Sequence, residues 1–253
     1  MAQYGFGAGI LWGTQLTDAS GTAVANPTPV KLGELQDVSI DISFDTKLLR
    51  GQNQFPVAVG RGSGKVSGKS KFARINGQTL NALIFGQTLS AGEYGVVNAT
   101  ATTTVAASTT ITPPNSGTFS KDLGVVDAVT GLPWTRVASA PATLQYAVNE
   151  GTGVYTFVAG DAGKLVYISY SYLSALTSAD KITVNNVPMG YAPSFRAAFL
   201  MPFQGKNLTL TLPNCIGSKL TIATKLDDFL IPDFDFEAFA DAGGNVIQIG
   251  TSE

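Results

Sequence analysis

Seven consecutive residues, Val38-Ser39-Ile40-Asp41-Ile42-Ser43-Phe44, alternate apolar and polar without a break. A helix would scatter Val38, Ile40, Ile42 and Phe44 around its circumference, whereas a strand sets all four on one face. The segment therefore demands a sheet with one packed and one wet side. The same period governs Leu208-Thr209-Leu210-Thr211-Leu212, the run Val166, Ile168, Tyr170 and Tyr172, and Leu144, Tyr146 and Val148 against Gln145 and Ala147. It recurs in Asp233-Phe234-Asp235-Phe236-Glu237-Ala238, where Asp233, Asp235 and Glu237 form an acidic row behind Phe234, Phe236 and Ala238. Further strands are expected over 181–187, 195–201 and 219–225, and over 246–249 after the turn at 241–245.

A basic counterpart to the acidic row lies near the first strand. Arg61, Lys65, Lys69 and Lys71 share one parity over 61–71, opposite Gly62, Gly64, Val66, Gly68 and Ser70. The Gly- and Lys-rich string imitates a phosphate loop, but that motif needs Gly five residues before a Gly-Lys-Ser/Thr. Ser63 fails the spacing for Gly68-Lys69-Ser70, and Val66 fails the last position after Gly64-Lys65. Between the first strand and this one, 45–60 reads as a long polar loop carrying Leu48, Leu49, Arg50, Phe55 and Val57. Its apolar side chains point to contact with something. One helix is expected over 76–85, capped by Asn76, striped by Leu80, Leu83 and Ile84, and ended by Gly86.

Residues 93–180 differ in texture, with a Thr- and Ala-rich stretch at 97–112 and short strands divided by Gly151-Thr152-Gly153 and Asp161-Ala162-Gly163-Lys164. They read as a small all-β module inserted into a parent domain made of 1–92 and 181–253.

Composition narrows the chemistry. The 253 residues include no histidine and one cysteine, Cys215. That excludes mechanisms built on a His base or ligand, and any intrachain disulfide. Cys215 is expected as a small buried hydrophobe. Charged residues make up 13%, about half the usual share, which fits a surface largely hidden in an assembly. A net charge of −2 gives no global pull toward nucleic acid or anionic lipid. No apolar run spans a bilayer and no signal core opens the chain, so a soluble cytoplasmic protein is expected. Catalytic residues, metal and cofactor are expected to be absent. The acidic row admits several readings: a solvated face, a divalent cation site, a glycosidase-like carboxylate pair, a pore lining that a polyanion passes without sticking, or a partner for the basic row across a sheet or between subunits.

The strings Leu49-Arg50-Gly51-Gln52-Asn53-Gln54-Phe55-Pro56-Val57 and Gly64-Lys65-Val66-Ser67-Gly68-Lys69-Ser70-Lys71-Phe72-Ala73 resemble tail tube proteins of tailed bacteriophages. So does Leu226-Asp227-Asp228-Phe229-Leu230-Ile231-Pro232 running on through Asp241. The resemblance implies a mainly β fold: a tail-tube-type sandwich or barrel with one packed helix plus the inserted β module, placed on the tube exterior. It also implies a non-enzymatic virion protein, assembled in the host cytoplasm into stacked homo-hexameric rings of a tail. Tape measure, terminator and baseplate or tip proteins would be its partners, and DNA would pass through without sequence-specific binding or any membrane contact. On that view Leu48, Leu49, Arg50, Phe55 and Val57 lie between subunits or rings. Arg61, Lys65, Lys69, Lys71, Asp233, Asp235 and Glu237 would line the lumen or a ring interface. The alternative is a head-decoration or carbohydrate-binding virion module.

Overall fold

A computed structural model describes residues 5, 7–74, 76–98, 103–104, 109–174 and 179–252. The protein is mainly β and divides into two compact units, Met1–Leu89 with Ile182–Glu253, and Ser90–Lys181.

The larger unit opens with β1 (Ile10–Gln15), β2 (Pro29–Lys31), β3 (Leu35–Arg50) and β4 (Pro56–Phe72), followed by the helical turn α1 (Gly77–Leu80). The smaller unit holds β5 (Ser90–Ala91), β6 (Glu93–Val96), β7 (Thr103–Thr104), β8 (Thr110–Ile111), β9 (Phe119–Asp127), β10 (Thr135–Arg136), β11 (Gln145–Asn149), β12 (Val154–Phe157), β13 (Leu165–Leu173) and β14 (Asp180–Lys181). The chain then returns with β15 (Ser194–Phe203), β16 (Lys206–Thr221), β17 (Asp233–Phe239) and β18 (Gln248–Thr251).

In the larger unit these strands form one sheet in the order β2-β1-β15-β16-β17-β4-β3, with β18 also pairing β16. One face carries the core: Leu11, Val66, Phe72, Phe195, Leu212, Phe234 and Phe236, closed over by Leu80 and Leu83. The helix starts as its residues dictate, with Asn76 Oδ1 accepting from the Gln78 N–H at 2.9 Å. Beyond Leu80 it widens into a π-helical turn, Asn81–Phe85, which Gly86 ends at φ +57°. The buried Asn81 amide completes that end, donating to Gln87 O and accepting from Gln87 N–H.

Three expectations about strands are corrected. Residues 182–187 form no strand, and the segments at 208–212 and 219–225 are parts of a single β16 that ends at Thr221. β16 survives Pro213 because the register against β15 slips there, and a bulge spares proline the ladder bond it cannot donate. Cys215 is buried within it, and burial pushes its thiol up to about 12.

The smaller unit is a sandwich. One sheet runs β10-β11-β12-β8, and the other centres on β13, flanked by β9 and by β6 and β7. Facing residues Tyr146, Tyr155 and Phe157 from the first and Val125, Val166, Ile168 and Tyr170 from the second make the core. Half of the Thr- and Ala-rich stretch 97–112 falls outside the described residues. A buried carboxylate organises the tyrosines: Asp122 accepts from the hydroxyls of Tyr146 at 2.7 Å and Tyr155 at 2.9 Å, with Arg136 3.7 Å away. Burial, then the adjacent Asp122, raises the pKa of both tyrosines.

The sign of the linkage follows. An unfolded tyrosine loses its proton near pH 10, whereas these two hold theirs higher in the native state. Their contribution is complete below about pH 10 and falls as pH rises beyond it. The melting temperature of the smaller unit is therefore expected to fall as pH rises from about 10 to about 12. Absorbance of ionised tyrosine should show part of the titration appearing only with unfolding. A melting temperature flat across that window would contradict this account.

A charged sheet face and a projecting ribbon

β17 alternates Phe234 and Phe236, each 1% exposed, with Asp233, Asp235 and Glu237 on the outer side of the sheet. Its neighbour β4 alternates Val66, Gly68, Ser70 and Phe72 inward with Lys65, Lys69 and Lys71 outward. Gly68 is required because the Phe236 ring lies across it. A Cβ there would stand 2.1 Å from Phe236 Cζ. The small face of β4 thus admits an aromatic ring from the neighbouring strand.

The register brings the two charged rows together. Asp233 opposes Lys71 and Asp235 opposes Lys69, while Glu237 reaches diagonally to Lys65 at 2.8 Å. Asp233 lies 3.8 Å from Lys71. Two flanking strands extend the array. On β3, Asp37 and Ser39 oppose Lys71 and Lys69, and on β16 Lys219 opposes Asp235. All of these except Lys65 and Glu237 line a depression of about 350 Å³. Of the readings open to the acidic row, pairing with the basic row across one sheet is the one observed within the chain. Ser39 was visible in the sequence as part of a polar face, but nothing local marked it, Asp37 or Lys219 as belonging to this array.

Arg61 does not join it. Between the pairs Phe44–Gly64 and Thr46–Arg61, β4 spends one residue more than β3. That bulge turns Arg61 to the other face, where its guanidinium stacks 4.1 Å from the centre of the Phe44 ring.

The expected loop at 45–60 is also corrected. Asp45–Arg50 completes β3 and Pro56–Gly60 begins β4, leaving Gly51–Phe55 as the turn. β17 pairs β4 only over 66–71, so the remainder of β3 and β4 is a two-stranded ribbon. The designated residues all lie on it. Leu48 opposes Val59, Leu49 opposes Ala58, Arg50 opposes Pro56, and Phe55 stands in the turn. Leu49 is 65% exposed and Phe55 80%, with Leu48, Val57, Val59, Ile42 and Phe44 also exposed. The packed face expected of the first strand is therefore corrected at its far end, where the sheet gives way to the ribbon and Ile42 and Phe44 are exposed. Val59 was not singled out because it fell within the expected loop.

Among the described residues no group of three or more His, Cys, Asp or Glu could hold a metal ion, and no helix is long and apolar enough to cross a membrane. No protein-family model matches the chain, and no curated protein matches it in sequence.

Proposed function

We propose that the protein is a structural subunit that assembles with copies of itself through β3 and the β3–β4 ribbon, forming the stacked rings of a phage-type tail tube. The observation that carries this reading is the edge strand. β3 runs sixteen residues at the end of the sheet order, bonded on one side to β4 and facing no further strand among the described residues. A long open edge is a template for another chain, and monomeric proteins blunt such edges by shortening, bulging or covering them. β3 is not shortened, and its one bulge, at Gln36, lies near its start. Here the edge instead continues into a ribbon bearing exposed leucine, valine and phenylalanine. An edge-to-edge ring would make the sheets of successive subunits continuous. Their polar outer faces would then line one surface, which in a tube is the lumen along which DNA travels. The role is non-enzymatic, and the smaller unit is assigned to the tube exterior, where it leaves stacking free.

Amide hydrogen exchange tests the edge directly. Assembly is expected to slow exchange across Leu35–Arg50 relative to dilute protein, because the outward N–H groups acquire partners. Assembly with β3 exchange unchanged would move the interface elsewhere.

A further inference from the structure

Lys65, Lys69 and Lys71 stand on one face of one strand, Lys65 two repeats before Lys69 with Ser67 between, and alternate strand positions repeat every ~6.7 Å. That is twice the roughly 3.4 Å axial rise between phosphates along one strand of a duplex. Taken alone, such a stripe would track a nucleic-acid backbone as a row of cations. It is not alone, because β17 sets Asp233 and Asp235 opposite Lys71 and Lys69, and Glu237 2.8 Å from Lys65. The two close pairs, Lys65–Glu237 and Lys71–Asp233, have side chains between 47% and 59% exposed. Exposed ion pairs contribute little to folding, so stability is a weak reason for matching the rows. What the matching changes most is the potential a passing polyanion meets.

We infer that this face is a double-stranded nucleic-acid site held closed by its own carboxylates: β4 supplies a phosphate-tracking lysine row, and β17 occupies it. The inference concerns the single chain and stands whether or not rings form. A duplex is repelled by the acids as strongly as the lysines attract it, and it slides past without lodging.

The test is fluorescence anisotropy of a short labelled DNA duplex titrated with the full chain, with sedimentation of the same samples to record assembly separately. The parent protein is expected to leave the anisotropy near that of free DNA. The triple variant Asp233→Asn, Asp235→Asn, Glu237→Gln is expected to bind at least ~10-fold tighter. Its log affinity should fall against log salt at a slope of about −3, since Lys65, Lys69, Lys71 and Lys219 then outnumber the facing acids Asp37 and Asp41 of β3. Adding Lys65→Gln, Lys69→Gln and Lys71→Gln should abolish the gain. Glu237→Gln alone changes only an exposed pair, so it keeps the fold, and it is expected to give a smaller gain with a slope of about −1. Tight binding by the parent would overturn the inference. So would no gain in folded acid variants, or a gain that survives removal of the lysines.

Discussion

Replacing Leu49 and Phe55 together by aspartate is expected to abolish self-assembly while leaving the melting temperature of the subunit unchanged. Leu49 is 65% exposed and Phe55 80%, so neither contributes much to the folded chain. Surface substitutions of this kind move stability by about 0.5 kcal/mol or less. In an interface the balance reverses. Central apolar anchors typically cost roughly 2 kcal/mol each when removed. Two of them amount to about 4 kcal/mol, or on the order of a thousand-fold in each association constant. Burying two new carboxylates without partners adds to that cost. Light scattering checks assembly, and a thermal melt by circular dichroism checks the fold. Normal assembly of the double variant would show that the ribbon tip contacts nothing essential.

The second large effect is expected at Phe236. Its ring is 1% exposed, packed 5.5 Å from Phe234 and 5.8 Å from Phe195 between centroids, and it covers Gly68 on the next strand. Phe236→Ala empties the middle of the core and is expected to cost about 3–5 kcal/mol. Gly68→Val attacks the same contact from the other side. Its Cβ needs the space that Phe236 Cζ occupies, and such overpacking costs about 1–3 kcal/mol. The two changes share one contact, so their effects should not add. The pair Gly68→Ala with Phe236→Leu is expected to lose less than the sum of its single variants. Urea unfolding followed by near-ultraviolet circular dichroism measures all five variants. Additive costs would mean that the ring and the glycine do not depend on each other.

What was legible in the sequence follows from where one face of a strand is buried. Alternation around Phe234 and Phe236 located β17 and its acidic row, and alternation through Val66 and Ser70 placed Lys65, Lys69 and Lys71 on the opposite side. Burial enforces period 2 in both places. Where neither face is buried, the signal fails. The ribbon at 45–60 looked like a loop because its residues answer to no core. Arg61 kept its parity in the sequence but lost its side in space, since a bulge in one strand leaves no local mark. The meeting of Lys71 with Asp233 depends on chain topology linking residues more than 160 positions apart. The sequence could offer that pairing only as one reading among several.

Electron microscopy of negatively stained protein at rising concentration tests the assembly claim most directly. Closed rings that stack into hollow tubes are the predicted result, with the Leu49→Asp, Phe55→Asp variant remaining as single subunits beside them. Single subunits of the parent protein at every concentration, with the β3 amides still exchanging freely, would contradict it.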